Sequence, residues 1–509
     1  MVGNSRRFKA GGYYLPKFLL KCGNKLMIEH VLSMFSYEDT FHLILKKDNN
    51  IQKKYINILK KLAPNIKIYF IEAHEAGPTI SILNGNLKIL DDEEIVISYC
   101  DFTVEWDYKL FLKSAYGSDA SIPYFDGFQA ASLGNTYYAY MKKKNNLMIQ
   151  LSEKKPFTKN RVNEPTSPGI YYFKSFKYFK TLSKNLFKNQ KKFPNNEIYV
   201  SLLLNEVVRM NGNVSMFKVQ KFICLGTPED YEQFNYWFSH FNKKKSEKKL
   251  NKTAEVSLIP MAGEGKRFKK YGYRTLKPII QIGNESLLKK CISSLPKSNK
   301  QIFLMKKGIY NNKKIINEIE NFKNTQNIFI PVYKKTDGQV STCLLARKFL
   351  DSKKSLMISS CDYELEYKEK KLRELISNHN PDVIIFTFKL RSQPVGSYEN
   401  FAYCKVRKNN VTRVVEKKII SNLPQTDNMV TGTFWFRQAS IFLKAADNLI
   451  SKQIKVNNEY YVGTSINHLI NQKYKVLFFE IDKWISFGDP LELNLYYFWQ
   501  DYFHKNPIT

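Results

Sequence analysis

The stretch Ile259–Pro278, "IPMAGEGKRFKKYGYRTLKP", joins a short apolar run to a glycine turn and then to a basic segment. An apolar run that ends in such a turn predicts a buried strand whose carboxyl end carries the turn. Glycines let backbone amides face an anion without a Cβ in the way, and Arg267 and Lys277 add a planar and a compact cation. The stretch therefore predicts a phosphate-binding loop at the edge of a parallel sheet.

The amino-terminal stretch "MVGNSRRFKAGGYYLPKF" repeats this pattern. Other blocks recur at offsets of 260 to 263 residues, among them "ISYCDFTVEWD" with "ISSCDYELEYK", "GIYYF" with "GTFWF", and "NNEIYVS" with "NNEYYVG". An offset that stays nearly constant over many blocks indicates a tandem duplication. We predict two domains, 1–241 and 256–509, joined by the lysine-rich, glycine-free linker 242–255.

Within each copy, short apolar runs alternate with amphipathic stretches. In the second copy, "VSLIPMA", "KQIFLM", "NIFIPV" and "SLMISSCD" read as strands, and "SLLKKCISSL", "KKIINEIENF" and "VSTCLLARKFL" as helices. Such alternation predicts a mostly parallel sheet with helices on both faces, because right-handed crossovers place the helices there. The predicted fold class is α/β, with two tandem Rossmann-like three-layer α/β/α domains whose functional groups lie at the carboxyl ends of the strands.

The first copy has too few residues for its first strand. Only Met1 and Val2 precede its glycine loop, whereas a full apolar run precedes the loop of the second copy. That strand belongs in the middle of the sheet, so its absence would leave two neighbouring strands with unpaired edges. Either the true start lies upstream of Met1 or the first copy is structurally compromised, and we favour the upstream start.

Composition and charge limit the class of protein. Of the 509 residues, 43% are apolar, which is ample for buried cores. No apolar run approaches the ~20 residues of a membrane span, so no membrane insertion is expected. Seven scattered cysteines without a CxxC pair are typical of reduced thiols in a cytoplasmic protein. The net charge of +34 comes mostly from dispersed lysines, so nucleic-acid binding is not expected.

A carboxylate ends another predicted strand in each copy. Asp362 ends "LMISSCD", and Asp101 holds the same place in the first copy. Beside bound phosphates such a carboxylate suits Mg²⁺, although residues of this kind are more often N-caps or solvated strand ends. Glu416–Lys417, after the strand "VTRVV", recurs as Glu153–Lys154 and is either a functional pair or surface charge.

Both copies resemble the sugar-phosphate nucleotidyltransferases, the pyrophosphorylases that make nucleotide-activated sugars. The resemblance rests on the glycine loop with its Arg and later Lys, a further Gly, the strand-end Asp, the Glu-Lys pair, a Gly before an aromatic strand, and the closing "LGTPEDY" or "FGDPLEL". It covers nearly the whole chain, once per copy. The "IPMAGEGKRF" form is also similar to versions found in capsule and surface-polysaccharide gene sets.

The resemblance implies transfer of a nucleotidyl group from a nucleoside triphosphate (NTP) to a sugar phosphate or similar phosphorylated small molecule. Pyrophosphate would leave, and Mg²⁺ would be the cofactor. Catalytic cations, glycines at the nucleotide, Glu and Gly at the sugar, and Asp at the metal would form each site. The implied catalytic residues are Arg267, Lys277, Lys417, Arg7, Lys17 and Lys154, and the implied nucleotide-binding residues are Gly263, Gly265, Gly338, Gly3 and Gly77. The implied sugar-binding residues are Glu416, Gly432, Glu153 and Gly169, and the implied metal ligands are Asp362 and Asp101.

Departures from the family pattern leave alternatives open. Family members commonly carry a second metal-binding Asp two residues before the late Gly, where this chain has Cys224 and Ser486. One copy, the first in particular, could therefore be a non-catalytic module that senses nucleotide or directs assembly. A glycosyltransferase of similar GT-A-like architecture is a further alternative, although it would usually carry Asp-x-Asp where this chain has "CDYE" and "CDFT". The identities of the NTP and the acceptor and the oligomeric state stay open.

Overall fold

The computed structural model describes residues 1–2, 5–47, 53–134, 137–189, 197–243, 252–321, 325–390 and 397–506. The chain divides into two compact units, each of mixed α/β structure. Unit 1 comprises Met1–Lys243 and Phe498–Thr509, and unit 2 comprises Lys244–Tyr497. None of the helices in the described ranges has the length and apolar character needed to span a membrane.

Unit 1 is built from short strands and helices. The strands are β1 (Lys21–Cys22), β2 (Lys25–Leu26), β3 (Phe41–Lys46), β4 (Ile66–Ile71), β5 (Ile95–Ser98), β6 (Phe102–Glu105), β7 (Ala120–Tyr124), β8 (Ala139–Lys144), β9 (Leu147–Glu153), β10 (Ile170–Phe173), β11 (Val214–Lys218) and β12 (Lys221–Cys224). The helices are α1 (Arg6–Ala10), α2 (Met27–Leu32), α3 (Lys53–Lys60), α4 (Pro78–Asn84), α5 (Tyr108–Ala115), α6 (Phe176–Asn189), α7 (Ser201–Arg209) and α8 (Pro228–Phe241).

Unit 2 follows a similar order of elements. Its strands are β13 (Lys252–Met261), β14 (Gln281–Ile282), β15 (Glu285–Ser286), β16 (Lys297–Lys306), β17 (Gln326–Val332), β18 (Leu356–Ile358), β19 (Tyr363–Glu366), β20 (Val383–Phe388), β21 (Ala402–Arg407), β22 (Asn410–Glu416), β23 (Asn428–Phe436), β24 (Val476–Glu480) and β25 (Lys483–Ser486). The helices are α9 (Lys266–Lys270), α10 (Leu287–Ser294), α11 (Lys307–Tyr310), α12 (Lys313–Glu320), α13 (Gln339–Leu344), α14 (Glu369–His379), α15 (Ala439–Ser451), α16 (Val462–Asn471) and α17 (Pro490–Lys505). The last of these begins in unit 2, and its residues from Phe498 onward belong to unit 1.

The main sheet of unit 2 has nine strands in the order β17-β16-β13-β18-β23-β20-β24-β22-β21. Strand β13 runs parallel to both of its neighbours, β16 and β18. Strand β23 runs antiparallel to β18 and β20, because the chain reaches it through the hairpin β21–β22 rather than through a crossover helix. The sheet is therefore mixed, and the prediction of a mostly parallel sheet is wrong.

Helices cover both faces of this nine-stranded sheet. Leu258 of β13 packs on one face in a cluster with Phe442 of α15 and Ile466 of α16. Its neighbour Ile259 packs on the other face in a cluster with Leu288 of α10. Since successive side chains of a strand point to opposite faces, the continuous apolar run of β13 supplies both cores.

The corresponding sheet of unit 1 is divided. Strands β5-β10-β7-β11-β9-β8 form one sheet, and β3 and β4 form a separate parallel pair. In unit 2, β13 links the pair β16–β17 to β18, but within the described residues of unit 1 no strand links β3 to β5. Near this gap the amino group of Met1 donates a hydrogen bond to the Ile44 carbonyl at 2.8 Å. Within the described residues β3 pairs only with β4, and β5 only with β10. Strand β5 is only half-buried, whereas β18 is buried.

The start of unit 2 differs from the predicted boundary. Strand β13 begins at Lys252, so the last four residues of the predicted linker 242–255 are extended and paired. The Trp435 indole donates to the Thr253 carbonyl at 3.0 Å, and Ala254 is buried. Burial and side-chain hydrogen bonding thus extend the strand into a segment that composition alone assigns to solvent.

The carboxyl terminus also differs from the predicted domain 256–509. Residues from Phe498 onward belong to unit 1. The ring of Phe234 in α8 lies 5.9 Å from that of Trp499 and 5.4 Å from that of Phe503, measured between centroids. Burial of these aromatic rings explains why the last residues pack with unit 1, since large rings contribute strongly to core stability.

Candidate active site

The glycine loop of unit 2 presents open backbone. Strand β13 ends at Met261, and α9 begins at Lys266 after the loop. Gly265 has a φ of +62°, and a Cβ built on Gly263 or Gly265 would meet no atom within 4 Å. In unit 1 the corresponding left-handed position is Ser5, with a φ of +48°, and Gly3 lies outside the described residues. The space beside the loop of unit 2 is therefore wide enough for a ligand to approach the backbone.

Lys277 and Asp362 form a direct ion pair beside this loop. The Lys277 Nζ lies 2.9 Å from Asp362 Oδ2 and 5.2 Å from the centroid of the Phe268 ring. Ser360 Oγ donates to the other carboxylate oxygen at 2.5 Å. Burial opposes both charges, but their attraction outweighs it, so the pKa of Lys277 is raised and the pKa of Asp362 is lowered. Both groups are therefore charged at neutral pH.

Two further cations approach the same region. The Arg267 guanidinium is 69% exposed and lies 3.8 Å from the Asp489 carboxylate. Lys417 follows β22 and donates to the Asn400 carbonyl. The pKa of Lys417 is lowered, mainly by burial and also by the Arg267 charge, although Glu416 opposes the shift. The Arg267 charge therefore acts on Lys417, and an anion bound near both cations would offset their repulsion.

Lys417 adopts an uncommon backbone conformation. Its φ is +55°, and that of Lys154 in unit 1 is +59°. A side chain with a Cβ in the left-handed region costs ~1–2 kcal/mol. Such strain often lies at functional sites. Both Glu-Lys pairs share this left-handed conformation, which their sequence alone does not show.

Glu416 is half-buried, and no described residue donates a hydrogen bond to its carboxylate. Burial raises its pKa to about 7, although Lys417 opposes this shift. A Cβ on Gly463 of α16 would lie 2.5 Å from Glu416 Oε1, so the glycine leaves room for the carboxylate. Gly432, with a φ of +94°, has no atom nearer than 3.5 Å to a built Cβ. A desolvated acceptor without a protein donor is suited to a ligand that supplies one.

Gly338 is required by backbone packing. Its φ is +107°, and a Cβ there would lie 2.6 Å from the Tyr460 nitrogen. In unit 1, Gly77 has a φ of +96°, and its Cβ would lie 2.5 Å from the Ile198 nitrogen. These contacts explain both glycines without a ligand, so their contact with a nucleobase stays a prediction.

Glu492 of α17 was not among the residues identified from the sequence. It accepts hydrogen bonds from Ser486 Oγ at 2.5 Å and from the Asp489 amide at 3.0 Å. A Cβ on Gly488 would lie 3.5 Å both from Glu492 Oε2 and from Asp362 Oδ2, so the two carboxylates flank this glycine. Burial raises the pKa of Glu492 to about 7, Ser486 opposes the shift, and Asp362 adds to it. An acid three residues after a helix N-cap is usually interpreted as part of the cap, so the sequence did not indicate that Glu492 lies beside Asp362.

The donor set around Asp362 suits Mg²⁺. Asp362 and Glu492 flank Gly488, and Ser486 bonds to Glu492, so these three side chains offer oxygen ligands. Mg²⁺ commonly uses one or two carboxylates together with water and substrate phosphates. In unit 1 the place of Ser486 is taken by Cys224, whose thiol donates to Asp230 at 3.2 Å. Unit 2 therefore has the better set of ligands for this cation.

Unit 1 brings its own predicted cations to similar places. Lys17 donates to Asp101 and, at 2.9 Å, to the Gly226 carbonyl, and it lies 5.1 Å from the centroid of the Phe8 ring. Burial opposes the Lys17 charge, but the attraction of Asp101 outweighs it and raises the pKa. The cation–carboxylate pair beside the glycine loop is thus present in both units.

Other side chains of unit 1 have different partners. Arg7 lies over the ring of Tyr137, 4.4 Å from its centroid, instead of beside a carboxylate. Lys154 Nζ donates to the Tyr199 hydroxyl at 2.6 Å, and Glu153 accepts a hydrogen bond from Ser201. The predicted positions are therefore held in unit 1 by contacts within the protein.

No protein-family model and no curated protein matches the chain. Among solved structures it is similar to a nucleoside-diphosphate-sugar pyrophosphorylase from Vibrio cholerae RC9, with 21% identity and a TM-score of 0.40, over 47% of this chain and 98% of that one. It is also similar to the inositol-1-phosphate CTP transferase from T. maritima, with 14% identity and a TM-score of 0.39, over 50% of this chain and 98% of that one. A UDP-glucose pyrophosphorylase complexed with UDP-glucose matches with 13% identity and a TM-score of 0.39, over 50% of this chain and 100% of that one.

Proposed function

We propose that unit 2 transfers a nucleotidyl group from an NTP to a sugar phosphate or similar phosphorylated small molecule, with release of pyrophosphate. The observation that carries this proposal is the Lys277–Asp362 pair beside the glycine loop. Arg267 lies beside Asp489, and its charge acts on Lys417. Three cations around one carboxylate match the charge of two phosphorylated substrates and one divalent cation. The product would serve nucleotide-sugar and surface-polysaccharide biosynthesis.

The triphosphate would lie along the glycine loop. A Cβ at Gly263 or Gly265 would meet no atom within 4 Å, so no side chain crowds the loop there. The exposed Arg267 guanidinium would bind the β- and γ-phosphate oxygens through its planar fork. Binding in this way places the leaving pyrophosphate next to a fixed cation.

The acceptor would lie on the side of Glu416 and Gly432. The unpartnered Glu416 carboxylate would accept a hydrogen bond from an acceptor hydroxyl, and Gly432 would let the acceptor approach the strand. Lys417 would contact the acceptor phosphate, whose charge would favour the ammonium form against the effect of burial.

The reaction would be an in-line displacement. An oxygen of the acceptor phosphate forms a bond to the α-phosphorus while the bond from that phosphorus to the bridging β-phosphate oxygen breaks. Pyrophosphate carries away the electron pair, and Lys277 and Lys417 neutralise charge on the phosphates that approach each other. Asp362 would hold Mg²⁺, which supplies positive charge to the phosphate oxygens when bound. Positioning and charge stabilisation suffice, without a covalent protein intermediate.

Glu364, two residues after Asp362, bears on the choice between transfer from an NTP and a glycosyltransferase reaction. Glu364 pairs with Lys290 at 3.2 Å, so it is engaged by α10. Glycosyltransferases of this architecture usually carry Asp-x-Asp at the metal, and this chain has Glu364 in place of the second Asp. The glycosyltransferase alternative is therefore the weaker of the two.

A screen for pyrophosphate release tests the proposal. The full chain with Mg²⁺ would be incubated with each of CTP, UTP, dTTP and GTP and with glucose 1-phosphate, inositol 1-phosphate or choline phosphate. We expect release that needs both substrates and is lost in Lys277→Ala. Consumption of a nucleotide sugar without pyrophosphate release from any of these pairs would instead favour a glycosyltransferase.

A further inference from the structure

The two units differ most on the side of the proposed acceptor. Gly169 and Gly432 begin corresponding aromatic strands, with φ of +103° and +94°. A Cβ on Gly169 would lie 2.8 Å from the ring of Tyr99, whereas on Gly432 the nearest atom is 3.5 Å away. The residue of unit 2 that corresponds to Tyr99 is Ser360, whose short side chain turns to Asp362. In unit 1 an aromatic ring therefore fills the space over the glycine.

The ring of Tyr99 also brings a hydroxyl group into the interior of unit 1. That hydroxyl is buried near Tyr171 and Glu153. Burial raises the pKa of Tyr99 well above its usual value, and the two neighbours add to this effect. The Tyr99 and Tyr171 rings meet edge to face with centroids 5.9 Å apart. Tyr99 is thus fixed among groups of unit 1 rather than exposed to a ligand.

The carboxylates of the two Glu-Lys pairs have opposite surroundings. Glu153 accepts a hydrogen bond from Ser201, and the Tyr171 hydroxyl lies near both of them. The corresponding residues in unit 2 are Glu416, Gly463 and Phe434, and the last two carry no hydroxyl. The Ser201 hydroxyl thus supplies Glu153 with a donor, and no described residue donates to Glu416.

We propose that Tyr99 and Ser201 close the acceptor subsite of unit 1 from within, so that only unit 2 binds and turns over the acceptor. This inference rests on the function proposed for unit 2. An acceptor entering unit 1 would have to displace a packed aromatic ring and break an existing hydrogen bond to Glu153. An acceptor entering unit 2 would instead supply the donor that Glu416 lacks.

Binding stoichiometry tests the closure directly. Isothermal titration calorimetry would use the full chain, Mg²⁺, a non-reactive NTP analogue, and whichever acceptor of the screen is turned over. We expect one acceptor per wild-type chain and two per chain in the variant Tyr99→Ser with Ser201→Gly, which copies unit 2. Two acceptors per wild-type chain would overturn the closure. A folded double variant that still binds one would show that these two residues do not close the subsite.

A reciprocal variant tests the same idea in unit 2. Gly463→Ser places a hydroxyl where Ser201 lies, and its Cβ would lie 2.5 Å from Glu416 Oε1 and 3.0 Å from Val414 Cγ1, so both side chains have to shift to admit it. We expect the KM for the acceptor to rise at least tenfold while the KM for the NTP stays within twofold. An unchanged acceptor KM would contradict the closure. Absence of pyrophosphate release from every substrate pair in the wild-type chain would instead refute the proposed function and remove the basis of this inference.

Discussion

Units 1 and 2 hold similar cation–carboxylate pairs on differently built sheets. In unit 2, β13 runs through the middle of a nine-stranded sheet and leads into the glycine loop. In unit 1 the sheet is divided between β3 and β5, yet Lys17 still reaches Asp101 as Lys277 reaches Asp362. Each lysine begins a short 3₁₀ turn with buried apolar residues, so local packing positions it. The pair therefore forms in both units despite the different sheets, and the surroundings of Glu153 and Glu416 distinguish the units.

The largest expected effect separates the two lysines of these pairs. Lys277→Ala removes the ammonium group that would neutralise charge on the reacting phosphates. We expect a loss of ~30–1000-fold in the rate of pyrophosphate release, which corresponds to ~2–4 kcal/mol of barrier. Lys17→Ala is the matched variant in unit 1, and we expect its loss to be at least tenfold smaller. Equal losses in steady-state assays would mean that both units contribute to turnover.

A second comparison separates glycines needed for packing from those needed for a ligand. Gly338→Ala forces a Cβ against the Tyr460 backbone at a φ of +107°, so we expect a loss of about 3 kcal/mol or more in the free energy of unfolding. Gly263→Ala meets no atom within 4 Å, so we expect a change in stability of less than about 0.5 kcal/mol.

Urea denaturation measures both free energies, and the proposed function makes a further distinction. Gly263→Ala should raise the KM for the NTP even though it leaves the fold unchanged. Gly77→Ala provides the counterpart in unit 1, where the same backbone clash predicts a loss similar to that of Gly338→Ala. A stable Gly338→Ala protein would contradict the packing explanation.

The strand–helix order of unit 2 could be predicted from periodicity, but the direction of β23 could not. All seven elements predicted from "VSLIPMA" to "SLMISSCD" are present, although α13 is short and is followed by the turn Arg347–Phe349. Parallel and antiparallel strands show the same alternation of apolar residues. The apolar pattern therefore could not predict the hairpin β21–β22 or the mixed sheet.

The candidate site, like the fold, could be predicted from the sequence only in part. The proximity of Lys277 to Asp362 follows from repeated motifs at the carboxyl ends of neighbouring strands. Glu492 was missed because an acid near a helix start reads as a cap, and Tyr99 because an aromatic residue at a strand end reads as core. The partners of Glu416 and Glu153 depend on Gly463 and Ser201, which lie far along the chain, and no local pattern reveals such tertiary contacts.

A smaller effect concerns the buried carboxylates. The pKa of Glu416 is about 7 in the folded chain, above the ~4.3 of an unfolded one, so the folded chain keeps a proton that the unfolded chain releases. Its contribution to stability is therefore lost progressively as the pH rises from about 4 to about 7. Glu416→Gln should remove this loss. The free energy of unfolding of the variant, compared with that of the wild type, should therefore be higher at pH 8 than at pH 4 by up to about 3 kcal/mol. The variant should also bind the acceptor more weakly.

Glu153→Gln is the matched variant in unit 1. Burial also raises the pKa of Glu153, but the hydrogen bond from Ser201 opposes the shift. We therefore expect a smaller pH-dependent gain than at Glu416. Urea titrations at pH 5 and pH 8 give the comparison, and an equal gain in both variants would show that the hydroxyl donors of unit 1 do not stabilise its carboxylate.

The smallest expected effect comes from the backbone of the Glu-Lys pairs. Lys417 has a φ of +55°, so Lys417→Ala keeps the strain of a Cβ in the left-handed region and Lys417→Gly relieves it. We expect the glycine variant to be more stable than the alanine variant by about 1 kcal/mol in urea denaturation, because the relief exceeds the added entropy of the unfolded chain. Both variants lose the ammonium group, so both should release pyrophosphate slowly. Lys154, with a φ of +59°, should show the same difference between glycine and alanine in unit 1. A difference at Lys417 alone would mean that the backbone strain differs between the two units.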